Sequence, residues 1–183
     1  MRPERVRPGV AIAAGLGFLG CILAANYVTT TQGMVPVGFG LVATAGTYFA
    51  GLTFVLRDLL QDTAGKVATF GLIWAGAALS LLVADPRIAM ASAAAFVLSE
   101  LADLTVYTPL RRRGYLRAAV ASNAVGAVVD SLVFLWVAGF PIGDALAGQV
   151  VGKLLVTAAV VALVAVYRAT RRPKPRHRAE VAA

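Results

Sequence analysis

Six long apolar stretches divide this chain, and nothing else in it constrains the fold as much. They run over about Val10–Val28, Val37–Leu56, Val67–Ala84, Ile88–Tyr107, Ala118–Ala138 and Ala145–Tyr167. A helix of about 20 apolar residues crosses a hydrocarbon core roughly 30 Å thick. Lipid offers the backbone no hydrogen-bond partners, so a spanning segment must be a helix or part of a closed barrel. None of the six stretches alternates polar and apolar residues as a barrel strand does. The prolines fall at ends and connections, where a missing N–H does least harm. Only 14% of the residues are charged, against about 25% in soluble domains. The expected fold is therefore an all-α integral membrane protein. A six-helix domain over 10–167 lies between a basic N-terminus, 1–9, and a basic, disordered tail, 168–183.

The formal charge of +8 is arranged in clusters at Arg2–Arg7, Arg111–Arg117 and Arg168–Arg178. With the N-terminus inside, fifteen of the seventeen basic residues fall in inner segments; Arg87 lies outside and Lys153 within a span. Basic loops stay on the cytoplasmic side, so both ends are expected inside, with the clusters facing anionic membrane lipid. The expected location is a bacterial plasma (inner) membrane, crossed several times. No basic groove with interleaved aromatics exists to suit a nucleic acid. The one cysteine, Cys21, allows no disulfide within the chain. Phe18–Cys21 loosely resembles a lipoprotein cleavage site, but the apolar run continues past it, so the segment reads as a retained span. His177 has no partner in sequence, and no metal or cofactor is expected.

Polar residues inside the runs need a reason, because a charge at mid-membrane costs at least about 2.5–3.5 kcal/mol on insertion scales. Glu100 and Asp103 are three apart and share a helix face. Asn123 and Asp130 share another face with Ala119 and Gly126, and Gln149, Lys153 and Thr157 form a third. Helical rise places Asp130 and Lys153 each about 12 Å from the outer ends of their spans, so adjacent antiparallel helices can pair them. Glu100 falls near mid-membrane and Asp103 nearer the cytoplasm. Three carboxylates against one ammonium leave an excess of acid, which a cationic or hydrogen-bond-donating solute or a proton would balance. Asp58 and Asp62, four apart with Arg57 and Lys66 beside them, fit a solvated helix end. Asp85 and Arg87 read as plain loop charges. Trp74, Trp136, Tyr107 and Tyr167 read as interfacial anchors or packing.

Taken in order, Ser99-Glu100-Leu101-Ala102-Asp103, Asn123 with Asp130-Ser131, and Gly148-Gln149 with Lys153 resemble the signature of the queuosine precursor transporter family, also called the vitamin uptake transporter family. Asp58-Leu59-Leu60-Gln61-Asp62-Thr63-Ala64-Gly65 is similar to that family's acidic segment after the second span, with Asp62 where Glu is commoner, and Asn26 matches a recurrent Asn. The resemblance covers roughly Ala25 to Thr157. It implies six spans, a fold akin to the substrate-binding subunits of vitamin importers, and uptake of 7-cyano- or 7-aminomethyl-7-deazaguanine.

The expected function is thus import of a purine-like base. Glu100 or Asp103 accepts an N–H pair, as carboxylates do for guanine, while Asn123 and Gln149 meet the carbonyl and ring nitrogen. Lys153 holds Asp130 or donates to the base. Tyr48 or Phe134 stacks on it, and a coupling proton passes through Asp130 or Glu100. Asn26, Asp58 and Asp62 join the candidate site. Three other functions stand beside this one. The chain can be a binding subunit for another small base or vitamin that needs an energising partner, since it has no nucleotide-binding loop of its own. It can be a structural membrane protein. An intramembrane enzyme is disfavoured, because no His ligand set, Ser/Lys dyad or Gly-Asp protease motif occurs.

Overall fold

A computed structural model describes residues 8–110, 112 and 115–170. Most of the two expected termini and of the Arg111–Arg113 cluster lie outside these residues. Among the described residues are six helices: α1 (Pro8–Gln32), α2 (Thr47–Ala64), α3 (Lys66–Val83), α4 (Pro86–Leu110), α5 (Tyr115–Ala138) and α6 (Ile142–Thr170). A two-stranded antiparallel hairpin, β1 (Met34–Gly38) and β2 (Leu41–Thr44), stands between α1 and α2.

The chain is an all-α membrane bundle, and its surface shows why. Trp74, Leu82, Trp136, Leu163 and Val67 are exposed, while many of the buried side chains are polar. That inversion suits a lipid solvent, which drives no apolar burial and leaves packing and interhelical hydrogen bonds to hold helices together. Four segments are long and apolar enough to cross a membrane: α1, α3, α4 and Ala121–Ala138 of α5. Helix α2 falls short because Arg57, Asp58 and Asp62 sit within its 18 residues. Helix α6 offers the shorter apolar stretch Ala145–Val160, which contains Gln149 and Lys153.

The hairpin corrects the expectation of one helix over Val37–Leu56. Gly38, Phe39 and Gly40 all have left-handed φ, at 94°, 54° and 72°. Left-handed conformations at both Phe39 and Gly40 are what a two-residue type I′ hairpin loop requires. The helix starts only at Thr47, after Gly46, whose N–H donates to the Thr29 hydroxyl at 3.0 Å. It then runs through Asp58 and Asp62 to Ala64, which places both acids at its end, past the apolar run.

Close approach fixes the hairpin against α6. A Cβ on Gly148 would collide with the Val42 carbonyl, so β2 lies where only glycine admits it. One turn on, α2 crosses α6, where a Cβ on Gly51 would stand 2.9 Å from Lys153 Cα. Helix α4 starts at Pro86 with the Asp85 carboxylate accepting the Arg87 N–H at 2.8 Å, an N-cap arrangement. Arg87 Nε donates to the Val137 carbonyl at 3.1 Å, which ties the start of α4 to the end of α5. These two residues are therefore joints of the fold and not plain loop charges.

A small apolar cluster joins α1 to its neighbours through Phe18, Ile22, Leu60, Ile73 and Phe96. Phe96 meets Phe18 edge-on at 5.8 Å and stacks on Phe54 at 6.5 Å. Helices α4 and α5 pack closely along their length. Helices α2 and α4 barely approach each other, so a gap runs between them that only side chains can fill.

Candidate functional site

Two polar spaces lie along this gap. The first is a deep cavity of about 50 Å³ near the hairpin end, with Asn26, Thr44, Thr47, Asp130, Gln149 and Lys153 among its walls. Lys153, 2% exposed, donates to Asp130 Oδ2 at 2.5 Å and to the Ser131 hydroxyl at 2.8 Å. Gln149 Nε2 donates to Thr44 Oγ1 at 2.9 Å, and Thr44 Oγ1 lies 3.3 Å from Thr47 Oγ1. Asn26 Nδ2 donates to Ser80 Oγ at 2.8 Å. The cavity has room for roughly three waters at the volume a bound water needs.

Local sequence explains this set. Asp130 and Lys153 come from antiparallel helices at matching heights, as their spacing predicts. Gln149 sits one turn before Lys153, on the same face. Thr44 and Thr47 reach the cavity because the hairpin folds back into the bundle, which a continuous helix over Val37–Leu56 would not do.

The second space is a vestibule of about 390 Å³ at the opposite end, where α2 meets α3 and α4 meets α5. Its walls include Arg57, Asp58, Asp62, Lys66, Glu100, Asp103, Tyr107 and Asn123. Arg57 Nη1 forms an ion pair with Glu100 Oε1. Both residues are buried, at 5% and 8% exposure. The guanidinium also lies 5.8 Å from the centre of the Phe54 ring, within cation–π range. Arg57 Nε stands 3.0 Å from Asp58 Oδ1, near enough for charge pairing but out of line for a hydrogen bond. Arg57 Nε and Asp103 Oδ1 are buried polar atoms without a hydrogen-bond partner among the described residues.

The geometry corrects four expectations. The candidate residues do not gather in one site. Asn26, Asp130, Gln149 and Lys153 line the deep cavity, whereas Asp58, Asp62, Glu100, Asp103 and Asn123 line the vestibule. The excess of acid is smaller than counted, because buried Arg57 neutralises Glu100; its charge at a helix end gave no hint that it points inward. Glu100 is accordingly not a free acceptor, while Asp103 is. Of the two aromatics, Phe134 lines the deep cavity, but Tyr48 is exposed and its hydroxyl donates to the Val37 carbonyl at 3.4 Å. Thr44, Thr47 and Arg57 are the site residues that sequence reasoning missed. The Gly38-Phe39-Gly40 turn was the available signal for the first two.

Among the described residues no group of three His, Cys, Asp or Glu side chains is placed to hold a metal ion. Residues 81–167 match the model of a family described as "Putative vitamin uptake transporter". Over that stretch the chain is similar to a vitamin uptake transporter. The matched part takes in α4, α5 and nearly all of α6, and with them Glu100, Asp103, Asn123, Asp130, Gln149 and Lys153. Asn26, the hairpin and the acidic end of α2 fall outside it. No curated protein and no solved structure matches the chain.

Proposed function

We propose that this protein is a membrane importer of a small, purine-like solute, with queuosine precursors such as 7-cyano- or 7-aminomethyl-7-deazaguanine as its substrates. One observation carries the reading: a bundle with an apolar skin holds two polar spaces, and the larger one presents a buried, unspent carboxylate oxygen at Asp103. Ionisable groups are costly inside a membrane and mark solute or ion pathways. The similarity of 81–167 to a vitamin uptake transporter supports uptake over catalysis.

The vestibule is the substrate's inner station, the last before release into the cytoplasm. Asp103 accepts N–H groups from the base, Asn123 offers an amide for its carbonyl and ring nitrogen, and Tyr107 gives a face for stacking. The deep cavity cannot take a bicyclic base at its present volume, so Asp130, Lys153, Gln149 and Asn26 contact the solute only after α2 and α4 part. A proton exchanged at Asp130 would release Lys153 and give a route to coupling. With the basic clusters inside, the vestibule faces the cytoplasm.

Uptake of labelled deazaguanines is the test, in cells that lack their own importer, with Asp103→Ala, Asp130→Ala and Lys153→Ala beside the parent. The expected result is uptake by the parent and at least a tenfold loss in each variant present at parental membrane levels. No uptake of either base by the parent would remove the substrate. Uptake indifferent to all three changes would remove the site.

A further inference from the structure

The deep cavity and the vestibule have no lining residue in common, and two side-chain contacts across the α2–α4 gap lie between them. Phe54 of α2 stacks on Phe96 of α4, with ring planes 15° apart. Three residues along α2 and four along α4, one helical turn on each, Arg57 pairs with Glu100. Phe54 borders the deep cavity and also a narrow space of about 10 Å³ beyond it. Arg57, Glu100, Asp103 and Asn123 border that narrow space and the vestibule alike. Since the two backbones barely approach, side chains and not main chain close the way between the two spaces.

We propose that Phe54–Phe96 and Arg57–Glu100 form a two-rung gate, and that its ionic rung selects solutes carrying a hydrogen-bond donor and an acceptor on one edge. The inference rests on the uptake reading given above. Parting Arg57 from Glu100 strands two buried charges, which is unfavourable unless both find new partners together. A simple cation satisfies only Glu100, and a simple anion only Arg57. A lactam or amidine–carbonyl edge satisfies both, with its N–H groups on the carboxylate and its oxygen on the guanidinium. The vestibule already displays such a pair: Arg57 Nε is an unspent donor and Asp103 Oδ1 an unspent acceptor. An edge that replaces the Arg57–Glu100 contact finds this second pair beside it, on the vestibule side. With the ionic rung open, the Phe54 ring loses the guanidinium packed over it and is free to turn.

Thiol labelling tests the gate without using transport. In full-length protein in lipid nanodiscs, Cys21→Ser removes the native thiol and Thr47→Cys places one on the far wall of the deep cavity. A small water-soluble methanethiosulfonate reagent should react slowly with this protein. Adding Arg57→Gln and Glu100→Gln together should speed the reaction at least tenfold. The charge-reversed pair Arg57→Glu and Glu100→Arg should return it toward the slow rate. An unchanged rate in the neutral pair overturns the gate. If the neutral pair does not fold, the gated parent decides alone: 7-deazaguanine should change its labelling rate at least threefold, while an analogue methylated at the lactam N–H, a simple ammonium ion and a simple carboxylate should not. Equal effects from all four probes overturn the selection rule. Gated labelling in a protein that imports no base would leave the gate standing and sink the uptake reading.

Discussion

The two polar spaces of this bundle differ in one respect that outweighs their sizes. In the deep cavity, each of Asn26, Gln149 and Lys153 donates to a named partner. In the vestibule, a guanidinium nitrogen and a carboxylate oxygen are buried and unspent. A satisfied buried network rigidifies its surroundings, whereas an unsatisfied polar atom carries its full desolvation cost. The first arrangement holds helices in register. The second, on the proposed reading, holds a place for the solute. In lipid the contrast is sharper than in water, because the bundle gains little by burying apolar surface and polar contacts carry more of the specificity.

The largest effect that can break this contrast is at Lys153. Removing one partner of a buried ion pair leaves the other uncompensated, at about 3–5 kcal/mol. Lys153→Ala should therefore lower the folded, monodisperse fraction in detergent and the melting temperature sharply. Lys153→Met combined with Asp130→Asn should recover most of the loss, since no charge is left stranded. A single variant that melts like the parent would show that the deep pair does not organise the bundle, and the distinction between the two spaces would fail.

The vestibule should respond in the opposite way. Asp103→Asn keeps the shape and removes a charge that no described side chain hydrogen-bonds through Oδ1. Its melting temperature should stay close to the parent's, a change within about 0.5 kcal/mol. Its uptake of a deazaguanine should fall about tenfold, equivalent to about 1.4 kcal/mol of lost binding. Equal losses of stability and uptake would make Asp103 one more structural group.

What the sequence disclosed follows from the length scale of each signal. The spans are legible because a run of about 20 apolar residues has few alternative fates. The Asp130–Lys153 pairing is legible because helical rise converts residue counts into depth. The hairpin is not, since Val37 to Ala50 is apolar enough to read as helix, and only the Gly-Phe-Gly turn within it argues otherwise. Arg57 was hidden for a different reason. A basic residue one step past an apolar run looks solvated, and nothing local tells that Glu100, 43 positions later, lies opposite. The division of the polar residues into two spaces was equally out of reach, because it depends on how α2 is placed against α4. The acids of α4 and the amine of α6 read as one set until the hairpin and the gap separate them.

Asn26 offers the smallest effect and the finest cut between the two spaces. It lies in the deep cavity, but its side-chain amide donates to Ser80, so it ties α1 to α3 as well as facing the proposed path of the solute. If it serves structure alone, Asn26→Ala and Ser80→Ala should each cost about 0.6 kcal/mol, the average for an interhelical hydrogen bond in a membrane. The double variant should then cost little more than either single, because both remove the same bond. Uptake should follow stability in all three. If Asn26→Ala lowers uptake well beyond Ser80→Ala at equal stability, its amide must leave Ser80 for the solute during passage. The deep cavity would then hold a transient station of its own, on the outer side of the proposed gate.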